Sequence, residues 1–107
     1  MSNGAYFTQV LATQRSDKIA AIACHSGGLG LVGLKELNVK HKYGVFVIHG
    51  ASDRLVSVEE GRKTHDAYQR WGHPTKLLEL PNHGHRWGVE KGVNAQIWEF
   101  FTIFHRL

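Results

Sequence analysis

Near the middle of this 107-residue chain stands an uncharged, mostly apolar run, Tyr43-Gly44-Val45-Phe46-Val47-Ile48. It has the length of one strand and no alternation with polar residues, which is typical of a strand buried on both faces of a parallel sheet. Two further stretches of strand length flank it in the sequence, at 19–24 and 75–80. The sequence therefore predicts about three buried strands that belong to one sheet.

Helical patterns separate these strands. An apolar face predicts a first helix over 4–15, and its members are Phe7, Val10, Leu11 and Ala12. The stretch 25–42 is rich in glycine and predicts a long loop, of the kind that is usually functional or mobile in a compact domain.

The second half of the chain continues the alternation. Ser57 has the character of an N-cap, and it predicts a helix from Val58 to Trp71 that packs three side chains inward: Ala67, Tyr68 and Trp71. A last helix over about 91–105 is expected to place Ile97, Phe101 and Phe104 on one face. Strands that alternate with helices in this way predict an α/β fold in which parallel strands are joined by crossover helices.

Length and composition exclude several classes of protein. The chain has the size of one domain, and no apolar run approaches the ~20 residues that cross a bilayer. The polar start, without a charged and then an apolar segment, predicts no signal peptide, so we expect a cytoplasmic protein. A single cysteine, Cys24, excludes an internal disulfide framework and a cysteine-based zinc site.

Charge and histidine content predict neither a nucleic-acid partner nor a metal. The 13 basic and 9 acidic residues are scattered along the chain and form no basic, aromatic stripe, so we expect no nucleic acid to bind. Eight histidines raise the question of a metal site, and His83 and His85 lie in one loop while His49 and Asp53 lie in another. Because no helical ligand spacing accompanies them, we expect no metal and no other cofactor.

Three residues stand where the chemistry of a parallel sheet gathers. Ser2 lies just before the first predicted helix, and Asp53 and His85 follow the second and third strands. Polar groups at the carboxyl ends of parallel strands meet at one edge of the sheet. Serine, acid and histidine in this order form the catalytic triad of α/β-hydrolases, in which the histidine takes the proton of the serine and the acid orients the histidine.

Each of these residues also has a structural explanation. Ser2 has the character of an ordinary N-cap, Asp53 that of a turn residue before a helix, and His85 that of a surface histidine. His83 competes with His85 for the role of the base. These alternatives stay open on spacing alone.

Three motifs strengthen the catalytic interpretation by resemblance. Residues 1–5 (Met-Ser-Asn-Gly-Ala) look like the end of a G-x-S-x-G nucleophile elbow, and residues 49–56 (His-Gly-Ala-Ser-Asp-Arg-Leu-Val) look like an H-G-x-x-D-x-x-V acid loop. Residues 83–87 (His-Gly-His-Arg-Trp) look like a G-G-H-x-W histidine loop. Together they resemble the C-terminal half of α/β-hydrolase esterases of the polyhydroxybutyrate depolymerase and feruloyl or acetylxylan esterase type. The resemblance implies a three-layer, partial α/β-hydrolase fold and hydrolysis of a small carboxylic ester.

The resemblance also implies a role for each site residue. Ser2 corresponds to the nucleophile, Asp53 to the acid and His85 to the base, since the family places its histidine two residues before the tryptophan. The backbone N–H of Asn3 corresponds to one oxyanion donor. Three more residues near this edge are weaker candidates to contact the substrate: His25, His49 and Trp87. We expect the first two to be structural or hydrogen-bonded rather than catalytic.

The motifs cover only half of the family's fold. We expect the strands before the nucleophile and the second oxyanion donor to be lacking, because the gene start lies upstream of Met1 or because the chain is a truncated descendant. Strand 19–24, free of proline and charge, then becomes an exposed edge that invites pairing. We therefore expect a homodimer or larger assembly through this edge or the helix 4–15. The alternative function is a non-catalytic remnant of the fold that serves as a binding or assembly module.

Overall fold

The computed structural model describes residues 2–28, 37–88 and 92–104, and these contain three helices and three strands. In chain order they are α1 (Ser2–Gln14), β1 (Ala21–His25), β2 (Gly44–Gly50), α2 (Val58–Arg70), β3 (Thr75–Leu80) and α3 (Val93–Ile103), with β2 following β1 directly among these elements. This order confirms the predicted α/β alternation. Of the loop predicted over 25–42, the part at 29–36 lies outside the described residues.

The strands form one parallel sheet in the order β1-β2-β3. The central strand is buried along its whole length, as its apolar sequence predicts. It also extends two residues beyond the predicted end at Ile48, because Gly50 still pairs with Leu80 of β3. Sequence composition marks His49 and Gly50 as loop formers, so pairing with the neighbouring strand decides where β2 ends.

The helices cover the sheet in two layers. On one face, α1 and α2 pack against alternate residues of the strands, including Cys24, Val45 and Val47. On the other face, α3 packs against Phe46 and Ile48. The three-layer arrangement predicted for the chain is therefore present, and the cores on the two faces bury the apolar side chains of the sheet.

Helix α2 begins and packs as its sequence predicts. The Ser57 hydroxyl accepts a hydrogen bond from the Glu59 backbone N–H, with 3.2 Å between oxygen and nitrogen, and so satisfies one of the free donors at the helix start. Ala67 and Tyr68 are buried against the sheet, while Trp71 ends the helix and packs partly against the same core.

The predicted apolar face of α1 is confirmed only in part. Ala12 is buried and Val10 packs against the core, but Phe7 and Leu11 are exposed, and Ala5 and Gln9 are buried in their place. The buried Gln9 amide donates to the carbonyl oxygens of Ala5 and of Gly28, and its Oε1 accepts from the hydroxyl of Tyr68. Small side chains and a hydrogen-bonded amide allow α1 to pack closely against the sheet, and the spacing of apolar residues does not reveal this.

The predicted face of α3 needs one correction. Phe101 is 37% exposed, whereas Phe100 is 7% exposed and packs against Phe46. Ile97 and Phe104 pack against the same core, as predicted. Val93 is buried, and with 3.6 residues per turn the buried face of α3 that starts there includes Phe100. Phe101 lies about 100° further around the helix and therefore points away from the core. Within the described ranges, no helix has the length and hydropathy needed to cross a membrane.

Candidate active site

The carboxylate of Asp53 is held by its own loop. This loop follows the carboxyl end of β2, and its backbone N–H groups at Leu55 and Val56 donate to Asp53 Oδ1, at 2.9 and 2.8 Å. An aspartate that binds backbone donors two and three residues ahead is typical of a tight turn. The turn fixes the carboxylate with no exposed side-chain surface and leaves Oδ2 for another partner.

That partner is the imidazole of His85, which follows β3. His85 Nδ1 lies 2.7 Å from Asp53 Oδ2, and 14% of the His85 side chain is exposed. Because an ionised carboxylate only accepts hydrogen bonds, Nδ1 must carry the proton. The lone pair of the neutral ring therefore lies on Nε2, which is the state that a general base requires.

The electrostatics of Asp53 favour its ionised form. Burial acts to raise the pKa of Asp53, but hydrogen bonds from Val56 N–H and from the His85 ring act to lower it. With the further bond from Leu55 N–H, these contacts outweigh burial and leave the pKa below its ordinary value. At neutral pH the site holds a buried negative charge beside an imidazole.

The loops that carry Asp53 and His85 touch through their backbones. Ser52 N–H donates to the carbonyl oxygen of His83 at 3.0 Å. Gly50 makes this approach possible, since a Cβ at that position would lie 2.2 Å from the same oxygen. A glycine before the acid loop is therefore required by packing, a role that its place in the motif does not explain.

His49 lies beneath the acid and is fully buried. Its Nε2 donates to the carbonyl oxygen of Val56 at 2.7 Å and lies 3.4 Å from Asp53 Oδ2. Because a carbonyl oxygen accepts, this ring also has an assigned proton, on Nε2. The ring supports the turn that holds Asp53, which favours the structural role over contact with a substrate.

His25 and Trp87 form the other side of the site. The His25 ring is 2% exposed and accepts a hydrogen bond at Nε2 from Gly88 N–H, at 3.1 Å. It stacks on the Trp87 ring with 4.7 Å between centroids and 20° between planes. Trp87 is 37% exposed and donates from its indole nitrogen to Asn94 Oδ1 at 2.7 Å. Of the two, only Trp87 has surface with which to touch a substrate.

The structure separates the two histidines that compete for the role of the base. His83 is fully buried and its Nε2 donates to the carbonyl oxygen of Arg86 at 2.7 Å, within the same loop. His85 is the one that reaches Asp53. The structure therefore brings together the predicted acid, Asp53, and the predicted base, His85. The packing roles of Gly50 and Gly88 are not predicted from the sequence, and the position of Gly88 directly after Trp87 is the one signal that could have indicated the second.

The predicted nucleophile lies at the start of α1. Ser2 is the first residue of this helix, and the short segment 15–20 joins the end of α1 to the start of β1. At the other end of β1, Gln9 reaches the carbonyl of Gly28. The helix therefore runs antiparallel to β1 and begins toward the carboxyl edge of the sheet. The side chains of Ser2 and Asn3 lie outside the described residues, so their catalytic roles stay predictions.

Among the described residues, no group of three or more His, Cys, Asp or Glu side chains is arranged to hold a metal ion. Beside Asp53, the His49 Nε2 and the His85 Nδ1 both donate hydrogen bonds to oxygen atoms.

No protein-family profile and no curated protein matches this sequence. Solved structures do match. SOBER1 of Arabidopsis thaliana superposes with a TM-score of 0.77 at 18% identity, over 94% of this chain and 50% of that one. Zea mays acyl-protein thioesterase 2 matches with a TM-score of 0.67 at 16% identity, over 92% and 52%. Est1E from Butyrivibrio proteoclasticus matches with 0.71 at 17% identity, over 94% and 59%.

These neighbours are α/β-hydrolases, and the present chain is a part of an α/β-hydrolase fold. It spans about half the length of the solved structures it matches. At these identities the likeness establishes the fold and leaves the chemistry to be argued from the residues of the site.

Proposed function

We propose that this α/β-hydrolase chain carries the triad of a serine hydrolase and cleaves a small carboxylic ester through an acyl-enzyme. The observation that carries the proposal is the 2.7 Å hydrogen bond between His85 Nδ1 and Asp53 Oδ2 at the carboxyl edge of the sheet. An ionised, buried acid bound to a partly exposed imidazole is the arrangement that activates a hydroxyl nucleophile. The predicted motifs extend the proposal to esters of the kind that polyhydroxybutyrate depolymerases and feruloyl or acetylxylan esterases cleave.

In the proposed mechanism, His85 Nε2 takes the proton of the Ser2 hydroxyl as its oxygen attacks the ester carbonyl. Asp53 stabilises the imidazolium that forms, because its charge lies next to Nδ1–H. The backbone N–H of Asn3 donates to the oxyanion. His85 then gives the proton to the leaving alcohol, and a water activated by the same imidazole hydrolyses the acyl-enzyme.

The test is hydrolysis of p-nitrophenyl acetate by the purified chain and by paired variants. We expect Ser2→Ala and His85→Ala each to lower kcat by about 10³-fold or more, since removal of a triad member leaves only the other contributions to catalysis. The matched control is His41→Ala, which removes an exposed histidine and should leave the rate unchanged. Equal rates for His85→Ala and His41→Ala would contradict the proposal.

The acid has its own pair of variants. Asp53→Asn replaces the acceptor of the His85 proton by an amide that can donate to Nδ1, so the proton moves to Nε2 and the base is lost. We expect kcat to fall by about 10⁴-fold. Asp66→Asn is the control, because the Asp66 side chain is 71% exposed.

Labelling with a fluorophosphonate identifies the nucleophile: we expect the wild-type chain to carry the label on Ser2, as located by mass spectrometry. No label on Ser2 would instead support the non-catalytic module.

A further inference from the structure

We propose that His25 is a positioning residue, whose buried ring holds the loop 81–88 in the place where His85 meets Asp53. The proposal rests on the proposed function, because holding this loop matters for chemistry only if His85 is the base. His25 itself touches neither the acid nor the base in the hydrogen bonds of the described residues, so it acts through the backbone of the loop.

One ring makes two contacts with the end of this loop. Gly88 N–H donates to His25 Nε2 at 3.1 Å, and the Trp87 ring stacks on the face of the same imidazole. These two residues follow His85 after a single intervening position. The backbone that leaves His85 is therefore fixed against the end of β1, which is separated from Gly88 by 63 positions in sequence.

The backbone that leads to His85 is fixed from the opposite side. Ser52 N–H donates to the carbonyl oxygen of His83, which ties this part of the loop to the acid loop. Inside the loop, His83 Nε2–H donates to the carbonyl oxygen of Arg86. The loop is thus tied down on both sides of His85, and on the far side His25 supplies the tie to the end of β1. Without the His25 ring, the backbone that follows His85 loses this tie, although α3 still contacts Gly88 and Trp87.

The close packing around Gly88 explains why a glycine makes the contact with His25. A Cβ at Gly88 would lie 2.6 Å from Val93 Cγ2 and 2.9 Å from Leu80 Cδ1, and 3.5 Å from His25 Nε2. The loop backbone therefore lies directly against α3, β3 and the His25 ring, with no room for a side chain. Only a glycine brings its N–H this close to the imidazole at this position.

The hydrogen bonds of His25 require one neutral tautomer. Since a backbone N–H donates to Nε2, the ring proton lies on Nδ1, from which it is donated to Ser26 Oγ at 2.7 Å. Ser26 is itself anchored, because its N–H donates to the carbonyl oxygen of Ile48. Protonation of His25 Nε2 would place its N–H against the N–H of Gly88, and two donors facing each other would break this contact.

The surroundings keep His25 neutral at physiological pH. Burial, followed by the neighbouring ring of His83, lowers the pKa of His25 to about 4. His49, near the end of β2, and His85, in the loop that follows β3, act in the same direction. The attachment is therefore intact throughout the pH range in which an esterase of this type is assayed.

The test compares two amides that replace different nitrogens of the ring. Gln at position 25 can place its oxygen near the position of Nε2 and accept from Gly88, whereas Asn reaches only the position of Nδ1 and Ser26. We expect His25→Asn to lower kcat/KM for p-nitrophenyl acetate by about 10- to 100-fold, as a displaced base does, and His25→Gln to retain most of it. His73→Asn is the control, because His73 is another buried histidine bound to backbone groups, at Leu37 and Tyr43.

A second readout does not depend on activity. Nitrogen-15 chemical shifts of the His85 ring report which nitrogen carries the proton. We expect the Nδ1–H tautomer in the wild-type chain, in His25→Gln and in His73→Asn, and a mixture of tautomers in His25→Asn. If all the variants keep the wild-type tautomer and His25→Asn loses no more activity than His73→Asn, the positioning role is wrong. If the tautomer changes in His25→Asn but the wild-type chain hydrolyses no ester, the positioning stands and the proposed function fails.

Discussion

At the scale of single residues, hydrogen bonding gives the four histidines of the site three different states. His49 and His83 donate from Nε2 to backbone carbonyls, whereas His25 accepts at Nε2 and donates from Nδ1. Of these rings, His85 is the one that donates to a carboxylate at 2.7 Å while part of its surface remains exposed. The chemistry of the four rings is therefore set by the groups around them and not by residue type, which is why a count of histidines predicts so little.

The low pKa of His25 predicts that acid destabilises the fold. The pKa of His25 falls from 6.5 to about 4 on folding, because the ring is buried. Between these values the unfolded chain binds a proton that the folded chain does not, so stability is lost as the pH falls from 6.5 to 4. The loss for this one group is about 3 kcal/mol. His73, whose pKa is also lowered by burial, acts in the same direction.

Urea unfolding at a series of pH values measures this effect. We expect the free energy of unfolding to fall toward pH 4 in the wild-type chain and to fall less steeply in His25→Gln, which cannot titrate. His41→Gln is the control, since His41 is exposed. Identical slopes for the wild type and His25→Gln would show that the ring does not stay neutral on folding.

At the scale of helices and strands, the sequence predicts which elements form better than which face each one buries. The apolar run at 43–48 places the start of β2 within one residue, and the Ser57 cap places the start of α2 at Val58, because both signals are local. The inward face of α1 depends on Gln9, a polar residue that finds its partners only in the folded chain. Propensity and periodicity carry no information on such distant contacts.

The candidate site shows the same division. Asp53 and His85 are predictable, because each follows a strand and parallel strands end at one edge. The contact between His25 and Gly88 is not, since it joins residues that are remote in sequence and depends on how closely two loops pack. Motif spacing indicates the residues of the proposed triad, whereas the contacts that hold them in place appear only in three dimensions.

The end of β2 offers a sharp test of the packing between the acid and histidine loops. A Cβ at Gly50 would lie 2.2 Å from the carbonyl oxygen of His83 and 2.7 Å from that of Gly84. We expect Gly50→Ala to lower the free energy of unfolding by about 3 kcal/mol, because backbone atoms must move to make room. Gly84→Ala is the control, as no described atom lies within 4 Å of the Cβ it would add. Equal stability of the two variants, measured by urea unfolding, would contradict the close contact.

At the scale of the whole molecule, the two faces of the sheet are covered, whereas β1 and β3 each have one side that no described strand pairs with, and the two edges differ in their sequences. β1 pairs with β2 on one side, and no described strand pairs with its other side. The stretch 19–24 contains neither proline nor charge, which are the devices that usually protect an edge. The neighbouring helix adds Phe7 and Leu11, which are exposed one helical turn apart.

We propose that the chain associates with itself through this edge and the exposed side of α1. Unpaired backbone groups and an apolar helix surface are both stabilised when a second copy covers them. Light scattering after size exclusion should give a mass of at least about twice 12.0 kDa at micromolar concentration.

The double variant Phe7→Gln/Leu11→Gln should shift the mass toward that of one chain. Ile103→Gln, which changes an equally exposed apolar residue of α3 on the opposite face, should leave it unchanged. A wild-type chain that elutes as a monomer would contradict self-association, whereas a dimer insensitive to the α1 variant would place the contact at the backbone edge of β1 alone.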